Sequence, residues 1–189
     1  MILSDLNKSY ITNGDGSSKK SVQISAPSNA YAYYALSAVV QGKLHLFGGE
    51  TDRKKVSFIF IKNLFNHFKI ARLDACSLVE LLYKLNFDAY HSAAALSISD
   101  NNEGKNRFSF HKDKILALIC FDYSNHKLCD RFTGTNVVST HSTTYSHPDG
   151  SLGFYNGQPT TVGSRTSGGY RITETLTSTG WQRLADHPR

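Results

Sequence analysis

Long apolar runs are missing from this chain. No stretch approaches the roughly eighteen residues that a membrane-spanning helix requires, so a helical membrane span is excluded and no membrane partner is expected. Dense basic clusters are missing too. The formal charge is +6 and the pI near 9.2, yet nothing is denser than Arg53-Lys54-Lys55, beside an expected turn. Nucleic-acid binding calls for a broader basic face, so no nucleic-acid partner is expected. Cysteines number three, an odd count that argues against a disulfide framework. No repeated Cys or His pair stands at zinc-ligand spacing, so no metal or other cofactor is expected. The opening MILSDLNKSY lacks the charged and apolar regions of a secretory signal. If Met1 is the true start, the expected compartment is the cytoplasm; if a signal peptide is missing, the chain could be extracellular.

What is present suits a turn-rich β protein. Hydrophobic residues make up 40% and charged residues 19% of 189, with 14 Gly, 10 Tyr and 11 Phe. Residues 1–30 carry NGDGSSKK and APSN, turn and linker chemistry that reads as a flexible N-terminal leader. From Tyr31 onward, short strands alternate with turns. LSAVV (36–40) and KLHLF (43–47) flank Gln41-Gly42, and Gly48-Gly49 ends the second. Leu44 and Leu46 alternate with His45, the period of a strand buried on one face, which sets His45 toward solvent or a polar neighbour. VSFIFI (56–61) and KIARLD (69–74) follow. SLVELLYKL (77–85) is ambiguous: its leucines fit helical spacing, while the surrounding pattern asks for a strand. HSAAALSIS (91–99) precedes a hairpin of KILALICFD (114–122) and KLCDRF (127–132). A turn at Ser124-Asn125 sets Cys120 opposite Cys129 in a non-hydrogen-bonded pair, where Cα atoms approach most closely. A cross-strand disulfide is sterically allowed there; the alternative is two reduced thiols packed as small hydrophobes.

The chain also repeats itself. QGKLHLFGGETDRKKVSFI (41–59) matches NGQPTTVGSRTSGGYRITETL (156–176) in kind and order, pairing Gly42 with Gly157 and Phe47-Gly48 with Val162-Gly163. The offset corresponds to two units of about 57 residues, and HSAAALSIS through CDRFTG supplies the unit between. Four-stranded antiparallel units of this size are propeller blades. Paired glycines at a strand end then have a reason: the backbone takes φ > 0 or approaches a neighbour closely where one strand leaves for the next.

On these residues, SAVVQGKLHLFGG resembles the start of a kelch repeat, and GWQRLADHP, with Trp181, Leu184 and Pro188, resembles its closing element. CSLVEL takes the place that TGWQRL fills later, and Cys120-Phe121-Asp122 stands where the middle unit would carry its glycine pair. The resemblance implies an all-β, partial β-propeller of about three four-stranded antiparallel blades over residues 31–189, similar to kelch-like and galactose-oxidase-like proteins. Gly42, Gly48, Gly49, Gly163, Trp181 and Pro188 would be structural. Three blades do not close a ring, which implies a piece of a larger propeller, or a short version that is completed by association or stays open.

Two function classes follow from the resemblance. The first is a non-catalytic module that binds a protein ligand through its loops, with Arg53, Lys54, Tyr123, His126, Tyr155, Arg165 and Tyr170 as candidate contacts, beside His67, His111, Asp122 and Asp149. The second is a galactose-oxidase-like copper or carbohydrate-active enzyme. No residue here matches that site's motifs, so no catalytic residue is assigned. HSTTYSH (141–147) is the one metal-like grouping: as a strand it would place His141, Tyr145 and His147 on one face.

Overall fold

The computed structural model describes residues 2–3, 9–12, 19–22, 35–49, 68–89, 93–99, 115–166 and 168–187. The strand expected at 56–61 lies outside them. All regular structure in the described residues is β. Strands β1 (Ile2–Leu3), β2 (Ser9–Thr12) and β3 (Lys19–Val22) form a small antiparallel meander, within the stretch that composition alone gave as a leader.

Three four-stranded meanders follow. The first sheet holds β4 (Leu36–Val40), β5 (Lys43–Phe47), β6 (Lys69–Asp74) and β7 (Ser77–Lys84). The second holds β8 (Ala94–Ser99), β9 (Ile115–Cys120), β10 (Cys129–Phe132) and β11 (Val137–Ser139). The third holds β12 (Ser151–Tyr155), β13 (Gln158–Val162), β14 (Thr173–Thr177) and β15 (Gly180–Arg183). Their first strands start at residues 36, 94 and 151, which divides the repeat into two nearly equal steps. Those first strands also meet in space, β4 against β8 and β8 against β12. Three four-stranded antiparallel sheets, consecutive along the chain, thus stand among the described residues.

Short-range chemistry sets the register. Gln41-Gly42 and Asn156-Gly157 turn with φ of 49°, 77°, 50° and 75°, the positive pair that a two-residue hairpin needs. Val40 then faces Lys43, and Tyr155 faces Gln158. SLVELLYK is a strand despite its helical spacing. In the β6–β7 pairing Lys69 faces Lys84 and Ala71 faces Glu80, so residues 81–83 bulge opposite Ile70. The bulge breaks the two-residue alternation, leaving Leu82 98% exposed while Leu81 packs on the core.

The same junction recurs in each sheet. The residue after the second strand turns to positive φ and donates its N–H to the carbonyl at the start of the third. Gly48 (φ 64°) donates to Lys69, Phe121 (φ 74°) to Leu128, and Gly163 (φ 81°) to Ile172, at 2.8, 2.9 and 3.1 Å. Gly49 (φ 82°) adds a bond to the Ala89 carbonyl at 3.3 Å. Glycine takes this conformation freely. Phe121 holds it at a cost of order 1–3 kcal/mol, offset by complete burial of its ring.

The core lies in two seams. Ala38, Val40, Phe47 and Ile70 of the first sheet meet Ala117, Ile119 and Phe132 of the second. On the opposite face of β9, Leu116, Leu118 and Cys120 meet Leu176 and Trp181 of the third. Strand β9 is thus buried on both faces, which its unbroken ILALIC run demands. Trp181 pairs with Leu176 in register, as Leu78 pairs with Leu73 in the first sheet.

His45 departs from its expected place. Residues 45–47 are all buried, and His45 is 2% exposed. Its ring lies 5.3 Å from that of Phe132, Nδ1 donates to the Lys43 carbonyl at 3.0 Å, and Nε2 has no hydrogen-bond partner among the described residues. The expected alternation failed because this sheet is packed where a one-faced strand would meet water. The segment 140–147 is likewise no strand: β11 stops at Ser139, and the chain crosses to the third sheet in irregular conformation.

Candidate interaction surface

A meander puts its first and third connections at one end of the sheet and the second, with the exit, at the other. At one end lie the tight turns 41–42, 75–76, 133–136, 156–157 and 178–179. At the other lie the longer loops 121–128, 140–150 and 163–172 together with 85–89. This second end is laced by backbone hydrogen bonds between units. Tyr123 donates to the Asp88 carbonyl (3.0 Å), His147 to His126 (3.1 Å) and Arg165 to Pro148 (2.8 Å).

Asp122 organises the loop 121–128. Its carboxylate is 1% exposed. It accepts from the amides of Ser124 (3.1 Å), Asn125 (3.0 Å), Lys127 (3.1 Å) and Leu128 (3.1 Å), and from the Ser124 hydroxyl. Burial pushes this carboxyl up, but the converging donors outweigh it and hold it below the ordinary Asp range. Cys120 and Cys129 close the loop base as a disulfide, with Cα atoms 4.1 Å apart. The cysteines face each other as expected, but the strands stop there. Residues 121–128 form a wider loop than a two-residue turn, with left-handed residues at Phe121 and His126.

The loops 140–150 and 163–172 are tied down by a buried pair. His147 and Glu174 are both fully buried, and Nε2 meets Oε2 at 2.8 Å. His147 Nδ1 lies 2.8 Å from the Gly163 carbonyl. Each ring nitrogen thus faces an oxygen. Glu174 also accepts the amides of Thr144 (2.9 Å) and Tyr145 (3.0 Å). Burial works against its charge, and the His147 bond with the two amides more than offsets that, keeping its carboxyl below the usual Glu value. Reading the sequence did not pick out Glu174 as functional or structural. A signal existed: in RITETL the inward positions are Ile172, Glu174 and Leu176, and an acid on an apolar face needs a partner.

On this frame the exposed side chains are Tyr123 (57%), Arg165 (77% at the side chain) and Tyr170 (39%), with Asp149 3.2 Å from Arg165. His126 is half-buried among them. Six of the sequence candidates therefore share the loop end: Tyr123, His126, Asp149, Arg165 and Tyr170, and Asp122, which is buried and organises its loop where the sequence had it as a contact. Tyr155 does not: it flanks the Asn156-Gly157 turn at the opposite end. Arg53, Lys54, His67, His111 and Pro188 lie outside the described residues.

The grouping read from HSTTYSH disperses. His147 is engaged at both nitrogens. Tyr145 stacks beneath the Arg183 guanidinium, 5.2 Å from the ring centroid. His141 is exposed, its carbonyl accepting the Trp181 indole N–H at 2.9 Å. Among the described residues no three His, Cys, Asp or Glu side chains converge on a point fit for a metal ion. No protein-family model matches the chain, and a search of curated proteins finds no match.

Proposed function

We propose that this protein is a kelch-like, propeller-type interaction module that binds a protein partner through its loop end and performs no chemistry of its own. The observation that supports this most is the pairing of a rigid frame with exposed Tyr123, Arg165 and Tyr170. Tyr and Arg are the residue types that dominate binding hot spots, and they contribute most where little ordering is required on association. The reading also holds that further sheets, from more chain or from another copy, extend the blades toward a closed ring. The enzyme alternative has no specific observation in its favour.

A photo-crosslinking amino acid placed at 123 or 165 should capture a partner from cells that express the protein. The same probe at 155 should not, and Y123A/R165A/Y170A should abolish capture. Equal capture from position 155, or capture that survives the triple substitution, would remove the loop end as the binding surface.

A further inference from the structure

Among the described residues, one asparagine is followed by glycine. Asn156-Gly157 is the turn between β12 and β13, with both residues exposed and both at positive φ. Tyr155 and Gln158 close the hairpin around it. The Gly157 N–H therefore lies outside the ladder, and no backbone bond engages it among the described residues. A Cβ on Gly157 would meet no atom within 4 Å beyond its chain neighbours, so this amide stands in open space.

The other described asparagines are placed differently. Asn86 Nδ2 donates to Asp130 and Ser139, each at 3.2 Å, and Phe87 follows. Asn125 Oδ1 accepts the Lys127 amide at 3.0 Å, and His126 follows. Asn136 is exposed, but the next residue is Val137, whose branched Cβ shields its own nitrogen. The matching turn in the first sheet, Gln41-Gly42, has the same left-handed conformation. Its side chain is one carbon longer, and Nε2 donates to the Thr133 carbonyl at 2.7 Å.

We infer that Asn156 is a site of spontaneous covalent modification, converted through a cyclic imide with Gly157 to aspartate and isoaspartate. The Gly157 nitrogen attacks Cγ of Asn156. The new N–Cγ bond replaces the Cγ–Nδ2 bond, and Nδ2 leaves as ammonia, carrying the proton that Gly157 gives up. Water then opens the ring. Cleavage of N–Cγ gives aspartate; cleavage of the bond between the same nitrogen and the main-chain carbonyl carbon gives isoaspartate. Nothing is oxidised or reduced. The turn has to open for the ring to close, so the rate reports local opening at this exposed tip. Gln41 would need a larger ring and release from Thr133, and stays intact. Either product sets a carboxylate beside Tyr155. Isoaspartate also adds a carbon to the main chain, which the two-residue turn that fixes the β12–β13 register does not accommodate. The loop end lies at the other end of the sheet, so this site is independent of the binding reading.

The full chain, held in weakly alkaline buffer and sampled by peptide mass spectrometry, tests this against the same chain unfolded in urea. Position 156 should gain the mass of amide-to-acid exchange, with isoaspartate present, before positions 86, 125 and 136. It should do so in the folded chain at no less than about one hundredth of the unfolded rate. The position-41 peptide should keep its mass. Asn156→Gln should leave the turn peptide unchanged over the same period. A slower rate than that in the folded chain, or earlier conversion at 86, 125 or 136, would overturn the site.

Discussion

Between the first and second sheets, Phe47, Ile70, Ile119 and Phe132 interlock, and the single His45 sits among them with one nitrogen unpartnered among the described residues. Between the second and third, Leu116, Leu118 and Trp181 do similar packing, but the polar group there is a His–Glu pair whose hydrogen bonds reach into two loops. Each seam has a buried carboxylate that reaches across it, Asp130 to the Asn86 amide in the first and Glu174 to two loop amides in the second; the first differs in also holding a histidine nitrogen without a partner among the described residues. The difference teaches that equivalent interfaces in a repeat need not be equivalent energetically. The repeating backbone sets where sheets meet, while the inserted polar residues decide how each seam is tied to the loop end, through Asp130 and Asn86 in the first and through Glu174 and His147 in the second.

The largest effect expected is in the second seam. Glu174→Ala should cost about 3–5 kcal/mol in urea unfolding, because it strands His147 and removes the acceptor of two amides. A loss below ~1 kcal/mol would mean that the two seams are alike.

Acid should tell the seams apart next. Burial, partly offset by the Lys43 carbonyl, holds His45 below its ordinary 6.5. The unfolded chain therefore takes up that proton first, and the stability this group contributes is present above 6.5 and lost as pH falls below it. Glu174 lies below its ordinary 4.5, so its contribution is present above 4.5 and lost at lower pH. Melting temperature followed from pH 8 to 3 should fall in two stages. His45→Leu, which copies the residue that Leu118 supplies at the corresponding place in the second sheet, should abolish the upper stage and leave the lower. A single stage in the native chain, or an upper stage that persists in His45→Leu, would contradict the assignment.

The smallest effect compares matching positions at the array's two ends. Leu36 packs on the first seam, and Ser151 stands at the corresponding place on the third sheet, exposed. Leu36→Ala should cost about 2 kcal/mol, and Ser151→Ala should stay within about 0.5 kcal/mol, both by chemical denaturation. Similar losses would show that the third sheet's outer face is packed after all.

Much of the β framework was legible because its signals are local. LSAVV, KLHLF and KIARLD are strands over the expected residues, and Cys120 does face Cys129. The repeat step could be read because turn glycines mark it. What escaped was decided at longer range. The bulge opposite Ile70 gave β7 a helix-like leucine spacing. Packing on both faces of the sheet buried His45. The pairing of His147 with Glu174 joins residues 27 apart, so no window around 141–147 contained the partner that claims the imidazole. The end to which each loop belongs follows from the connection order, which is why Tyr155 parted from the other candidates.

The ring closed by Cys120 and Cys129 meets most of its polar needs internally, through the Asp122 carboxylate. Such a segment resembles a clasp with its own rivets: Tyr123 and Asn125 at its tip can be exchanged for other residues without unsettling the sheets beneath. Under the proposed interaction reading, the specificity of this end can therefore drift faster across generations than the architecture that holds it up.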